Sequence, residues 1–153
     1  MSRARKILLV ISAVFIVIQF IAPVHNKDGR VLETNISKIF NISDSVQAVL
    51  KKTCYDCHSN NTSYPWYSNI QPMAWIMARH IKNGKEKLNF SGFGSSSNRK
   101  QISKLKGIIN QIKDDEMPLS SYKVMHKNAR LSKEDKNLIM NWINQTADSL
   151  SSN

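Results

Sequence analysis

Apolar residues recur at helical spacing in four stretches of the chain, and each stretch carries polar residues on its opposite side. Residues three or four positions apart share one face of an α-helix, so this spacing predicts amphipathic helices. Pro72 stands in the first turn of the second helix, and Ser132 begins the last with a sequence resembling a capping box. The predicted helices run from Ser43 or Asp44 into Cys54, from Met73 to Asn83 before Gly84, from about Asn98 to Lys113, and onward from Ser132.

The first apolar run of the chain is continuous instead of periodic. Ile7 to Ala22 contains only Ser12 and Gln19 as polar interruptions, and it follows a basic leader at residues 2–6. These sixteen residues fall slightly short of the about 20 that a spanning helix needs. Bulky residues stand where signal-peptide cleavage requires small ones. The run therefore predicts an uncleaved membrane anchor over a cleaved signal peptide, with the leader in the cytoplasm and the remainder outside it.

The net charge of +11 is high for 153 residues. The lysines are dispersed and no recognition motif of the common DNA or RNA modules occurs, so we expect no nucleic-acid partner. A basic surface suits an acidic protein partner or an anionic membrane better. The third predicted helix has a basic face, which we interpret as solvated surface, with a docking patch for an acidic redox partner as the alternative. This face consists of Arg99, Lys100, Lys104 and Lys106.

The most specific motif is Cys54-Tyr55-Asp56-Cys57-His58. Two thiols three positions apart can add to the two vinyl groups of one porphyrin, and the histidine that follows can ligate its iron. The motif predicts one covalently attached haem c with His58 as an iron ligand. Three alternatives stay open: a disulfide closing a very small loop, a thioredoxin-type redox pair without its usual βαβ context, and half of a zinc site.

The sixth iron ligand has several candidates. Met117 is the strongest, because a thioether stabilises ferrous iron and Pro118 stiffens the loop on which it lies. His80, on the second predicted helix, is the alternative distal ligand. An aromatic cluster after the haem motif, formed by Tyr64, Trp66 and Tyr67, is interpreted as a wall of the haem pocket. The rival methionines are Met73, Met77, Met125 and Met140.

Several further short motifs are spread over nearly the whole chain, from Ile7 to about Ile143. They are the anchor ending Gln19-Phe20-Ile21, the cysteine motif followed by Ser59-Asn60, Tyr64-Pro65-Trp66-Tyr67, His80 with Leu88-Asn89-Phe90-Ser91, Glu116-Met117-Pro118, and Leu131-Ser132 before Trp142. With these features the chain resembles the haem-binding-domain family of small membrane-anchored bacterial proteins, which look like c-type cytochromes. The resemblance implies covalent haem binding and a mostly helical fold similar to monohaem cytochrome c.

The predicted fold class is therefore mostly α, a monohaem cytochrome c-like domain behind a single N-terminal transmembrane helix. The predicted divisions are a leader and anchor at 1–25, a linker at 26–42, the haem domain at 43–147 and a flexible tail at 148–153. Residues 88–97 are predicted to form a flexible connection within the domain, because they are rich in glycine and serine.

The predicted function is one-electron transfer with His58 and Met117 on the iron, which favours an electron carrier over a catalyst. The expected partners are a redox protein, acidic in character, and the membrane. The expected location is the inner membrane, single-pass, with the haem domain on the periplasmic side. A haem enzyme or gas sensor with an open distal site is the alternative, and a non-haem binding module is the third hypothesis.

Overall fold

The computed structural model describes residues 1–152, and α-helices make up most of them. The mostly α fold class is thus confirmed; the β-type pairing within this part of the chain is an isolated bridge between Lys27 and Asn61. Short 3₁₀ turns lie at Trp66–Asn69, Phe90–Ser95 and Lys127–Ala129. The α-helices are α1 Arg3–Gln19, α2 Ile36–Ile39, α3 Asp44–Thr53, α4 Tyr55–His58, α5 Met73–Lys87, α6 Asn98–Lys113, α7 Ser120–Met125 and α8 Lys133–Ser151.

The hydrophobic core forms where α3, α6 and α8 pack together. Leu50 of α3, Leu105 of α6 and Ile143 of α8 are fully buried in it. Burying a side chain of this size contributes about 1.5–3 kcal/mol, so these apolar stripes hold the helices together. The packing of α8 against α3 places the last helix beside the one that leads into the cysteine motif, as its apolar stripe suggests.

The predicted helix starts are confirmed by hydrogen bonds at two caps. Ser43 Oγ accepts from the backbone N–H of Val46 at 3.4 Å. Ser132 Oγ accepts from Asp135 N at 3.0 Å, while the Asp135 carboxylate accepts from Ser132 N at 3.2 Å. An aspartate thus completes the capping box, which satisfies two backbone donors that would otherwise lack partners.

The prediction that α5 ends before Gly84 is wrong, since α5 continues to Lys87. A Cβ atom built on Gly84 would lie 2.6 Å from the backbone oxygen of Cys57. Glycine is required at this position because α4 and α5 approach each other too closely for a side chain. Gly84 is therefore a packing residue inside the helix and does not mark its end.

Three segments predicted to be linking or flexible are built into the domain. In the predicted linker 26–42, Ile36 is fully buried in the core. In the predicted connection 88–97, Phe90 and Phe93 are buried in the same core. The predicted tail at 148–153 continues α8 to Ser151, while Asn153 lies outside the described residues.

The apolar N-terminal run forms α1, and no residue of this helix is buried. Its C-terminal end is attached to the domain: Gln71 N donates to Gln19 Oε1 at 3.0 Å, and Trp75 Nε1 donates to Ile21 O at 2.7 Å. Across residues 1–152, no helix combines the length and the apolar character that crossing a membrane requires. The predicted transmembrane helix is therefore not supported.

Candidate functional site

A cavity of about 400 Å³ lies between the cysteine motif, the C-terminal end of α5, α6 and the loop after α6. Cys54, His58 and Met117 all line it, although they come from separate parts of the chain. Much of the rest of its wall is apolar, including Leu88, Phe90, Ile108 and Ile112. Of the four predicted haem-binding residues, all but Cys57 thus line one apolar cavity.

The cysteine motif is a tight turn between two helices. The backbone N–H of Cys54 donates to Leu50 O at 2.9 Å and ends α3, while Cys54 O accepts from His58 N at 3.0 Å and begins α4. Both cysteines are free thiols. Burial raises the pKa of each to about 11, with the charge of Asp56 adding to the effect at Cys57. Both therefore stay protonated near neutral pH.

The imidazole of His58 is held in one orientation and one tautomer. Its Nδ1 lies 3.0 Å from Gly84 O and 3.0 Å from Leu88 O, at the C-terminal end of α5. Carbonyl oxygens only accept, so Nδ1 carries the proton and Nε2 keeps its lone pair. Burial lowers the pKa of His58, against the opposing effect of these two hydrogen bonds, and keeps the ring neutral. A neutral imidazole fixed through Nδ1 is the form that ligates metals.

The loop that carries Met117 is fastened to the end of α6. Gln111 O accepts from Glu116 N at 3.0 Å and from Met117 N at 3.1 Å. The Gln111 side chain donates to Glu116 Oε2 at 2.7 Å. Asp115 takes a positive φ of 55° in the turn before them. These contacts hold Met117 against the cavity, where its thioether is available as a soft ligand.

One face of α6 forms a wall of the cavity. Lys104, Gly107, Ile108 and Gln111 line it, at the i, i+3, i+4 and i+7 spacing of a single helical face. A Cβ atom built on Gly107 would have no other atom within 4 Å, so a side chain here would project into open space. The glycine keeps room beside the helix for a bulky group, and an apolar cavity with an imidazole and a thioether fits a haem.

Other predicted site residues lie elsewhere. Cys57 and His80 are not among the residues that line the cavity, so the structure gives no support to His80 as a distal ligand. The predicted aromatic wall is wrong: Tyr64 stacks on His25 with ring centroids 4.2 Å apart, and Trp66 is 75% exposed. Tyr67 bonds to His126.

Phe90 is the aromatic residue that does line the cavity, with its ring centroid 6.3 Å from that of His58. Sequence reasoning missed it because it lies in a segment rich in glycine and serine. A signal was present, since Phe90 and Phe93 are three positions apart in an otherwise polar stretch. Two large apolar residues at that spacing indicate a buried turn.

A polar network on the other side of the motif was also missed. Asp56 Oδ2 accepts from Tyr122 OH at 2.6 Å, and Asp56 Oδ1 accepts from Ser63 N at 2.9 Å. Thr62 Oγ1 donates to the backbone oxygen of Asp56 at 2.6 Å. Asp56, one of the two residues between the cysteines, is thereby tied to α7 and to the loop after α4, which fixes the motif from outside the cavity.

The alternatives for the cysteine motif find little support in this geometry. The two thiols are not bonded to each other. Among residues 1–152, no three His, Cys, Asp or Glu side chains are grouped so that they could hold a metal ion, as a zinc site requires. The thioredoxin alternative calls for strands flanking the motif, whereas the motif here lies between α3 and α5.

Comparisons with known proteins point in the same direction. A family model described as a haem-binding domain matches residues 13–145, which is most of the chain. Neither the curated proteins nor the solved structures contain a significant match. The matched region includes the cysteine motif, Met117 and every helix that borders the cavity.

Proposed function

Since the chain belongs to the haem-binding-domain family, we propose that it holds one haem c covalently and carries single electrons outside the cytoplasm. Cys54 and Cys57 form the two thioether bonds, and His58 and Met117 are the iron ligands. The observation that carries this proposal is the single cavity lined by Cys54, His58 and Met117, with Nδ1 of His58 already bonded to two carbonyl oxygens.

The residues of the chain determine what kind of haem site this is. When bound, haem supplies an iron that cycles between its ferrous and ferric states. His58 presents Nε2 as a neutral donor, and Met117 presents a thioether, which favours the ferrous state and raises the reduction potential. If His58 and Met117 both held the iron, no position on it would be open to a small molecule, which would suit electron transfer better than chemistry on a substrate.

Cys57 needs a separate test, because it does not line the cavity that Cys54 lines. It lies within α4, three positions after Cys54, which is the N-cap of that helix, and its Cβ faces Gly84 of α5. The variants Cys54→Ala and Cys57→Ala, made separately, measure how much each thiol contributes to attached haem.

The experiment that tests covalent attachment is a haem-peroxidase stain on a denaturing gel. The full chain is co-expressed with the c-type maturation machinery beside the double variant Cys54→Ala/Cys57→Ala. We expect a haem band that travels with the native chain and is missing from the double variant. A folded, exported native chain without a haem band would refute covalent attachment.

Carbon monoxide separates the electron carrier from its main rival, a haem enzyme or gas sensor with an open distal site. A site with Met117 on the iron should bind carbon monoxide poorly in the reduced native protein. Ready binding at low concentration would support the rival function. The rival draws less support from the geometry, because Met117 lines the cavity and His80 does not.

Location and partner belong to the proposal as well. We propose the inner membrane, with the haem domain on the periplasmic side, on the strength of the basic leader and the exposed apolar α1. An acidic redox protein is the proposed partner, since Arg99 and Lys100 are exposed at the start of α6. Membrane fractionation with carbonate washing and protease protection tests the location.

A further inference from the structure

Two lysines are the charged side chains that line the cavity. Lys87 ends α5 and Lys104 lies on the cavity face of α6; the other lining residues are apolar or uncharged polar apart from the neutral His58. Lys87 is exposed and Lys104 is half-buried, so both ammonium groups stay charged and can bind an anion at the cavity. A cavity whose charges are all positive is complementary to a ligand that carries carboxylates.

Lys104 differs from the other basic residues of α6 in position and exposure. It lies one turn before Gly107 on the face that forms the cavity wall, and it is half-buried. Arg99, Lys100 and Lys106 are exposed and do not line the cavity. The lysine at position 104 is therefore part of the cavity, whereas its neighbours belong to the solvated surface.

The ammonium of Lys104 is held at the cavity by the backbone. Its Nζ donates to the backbone carbonyl oxygen of Lys87, which places the Lys104 ammonium beside the C-terminal end of α5. An ammonium has three N–H donors, and this bond uses one of them.

We infer that Lys104, with Lys87 beside it, binds the propionate carboxylates of the haem. This inference rests on the proposed function, because it places haem in the cavity lined by His58. The remaining N–H donors of Lys104 form charge-assisted hydrogen bonds to a carboxylate, which are roughly twice as strong as neutral ones. The pair neutralises the carboxylates at the edge of an apolar cavity and positions the cofactor beside Gly107.

The test uses the full chain carrying Cys54→Ala/Cys57→Ala, so that haem binding is reversible and measurable as a dissociation constant. Two ligands are titrated by Soret absorbance: haem, and haem dimethyl ester, in which both carboxylates are esterified and carry no charge. Each is measured in this parent and after adding Lys104→Gln or the matched control Lys106→Gln. Circular dichroism checks that every variant is folded.

We expect Lys104→Gln to weaken haem binding by about tenfold, the effect of one hydrogen bond to a charged group. Binding of the dimethyl ester should change by less than about twofold, since the carboxylate that Lys104 recognises is absent. Lys106→Gln should leave both affinities unchanged. Equal losses for haem and ester would mean that Lys104 is merely structural, and unchanged haem affinity would also overturn the inference.

A second measurement on the covalently loaded protein does not depend on the cysteine variants. Lys104→Gln should lower the reduction potential relative to Lys106→Gln, because removing a cation near the iron favours the more positively charged ferric state. Equal potentials in the two variants would count against Lys104. The proposed function itself would be overturned by two results together. The Cys54→Ala/Cys57→Ala chain would bind neither haem nor its dimethyl ester, and the wild-type chain would carry no haem.

Discussion

His58 has one ring nitrogen left for a ligand, because Nδ1 is committed to the carbonyl oxygens of Gly84 and Leu88. Such bonds fix the orientation of a ligating histidine and raise its basicity. The same residues also join α4 to the end of α5. The single side chain of His58 thus connects the local motif to the packing of the domain.

Replacing Met117 with alanine tests the distal ligand. We expect the reduction potential to fall by on the order of 0.1 V, because the thioether that stabilises ferrous iron is lost. Carbon monoxide should then bind the reduced protein readily. Spectroelectrochemistry and a carbon monoxide titration measure both effects. The control is Met73→Ala, an exposed residue away from the cavity, which should change neither property.

The reactivity of the cysteines tests the effect of burial on the thiols of the haem-free protein. Burial raises the pKa of Cys54 and Cys57 to about 11. Only the thiolate reacts, so alkylation by iodoacetamide at pH 8 should be roughly a hundredfold slower than for free cysteine. The rate should rise about tenfold per pH unit up to pH 10, because the raised pKa lies above this range.

The same chain unfolded in urea provides the control for this measurement. Its thiols should react at nearly the rate of free cysteine. If the native and unfolded chains react equally fast at pH 8, the thiols are not shielded in the way their burial indicates.

At the scale of whole elements, two glycines inside helices have opposite surroundings. Gly84 of α5 faces the backbone of Cys57 so closely that a Cβ would lie 2.6 Å from its oxygen. Gly107 of α6 faces the cavity, with no atom within 4 Å of the corresponding position. Glycine costs a helix about 1 kcal/mol relative to alanine, so each must be explained by what lies beside it.

Alanine at each position should therefore shift stability in opposite directions. Gly84→Ala should lower the free energy of unfolding by about 1–3 kcal/mol, because α4 must move away from α5. Gly107→Ala should raise the free energy of unfolding of the haem-free chain by about 0.5–1 kcal/mol. Urea denaturation followed by circular dichroism measures both. If Gly107→Ala is instead less stable than the wild-type chain, the space beside Gly107 is too small for a methyl group, contrary to the structure.

A larger side chain at position 107 tests whether this space is used. Gly107→Leu should leave the haem-free fold at least as stable and lower the yield of haem-loaded protein by about tenfold or more, because the side chain fills the cavity. Absorbance of the purified protein measures the yield. Ile108→Leu is the matched control on the same face, since it conserves volume. Full loading of Gly107→Leu would show that the ligand does not lie against this helix.

At the scale of the molecule, the segment before α3 is part of the domain. Ile36 is fully buried in the core, and Asn26 Nδ2 donates to Ser59 O at 2.8 Å, next to the cysteine motif. The region between α1 and the helical core is therefore attached at both of its ends.

Replacing Ile36 with alanine tests this attachment. We expect the free energy of unfolding to fall by about 2–5 kcal/mol, the usual cost of deleting a buried side chain of this size. Val31→Ala, at a position that is 62% exposed in the same segment, should change it by less than about 0.5 kcal/mol. Similar values for both variants, from urea denaturation, would restore the interpretation of the segment as a linker.

The amino-acid sequence by itself determined those features that depend on neighbours along the chain. Apolar spacing and caps located α3, α6 and the start of α8, because residues one helical turn apart are close in any helix. The cysteine motif could be recognised as a candidate haem site for the same reason, since its chemistry lies within five consecutive residues. The resemblance to the haem-binding-domain family rested on such local motifs, and it was confirmed.

Tertiary structure alone decided which distant residues meet. It placed Met117 on the cavity with His58 and left His80 outside, a distinction that helical spacing within one segment does not contain. It also decided that Gly84 is a contact residue and that Phe90 lines the site. Each of these facts depends on how α4, α5 and α6 approach one another. That approach is set by the summed burial of the whole core and not by any short stretch of sequence.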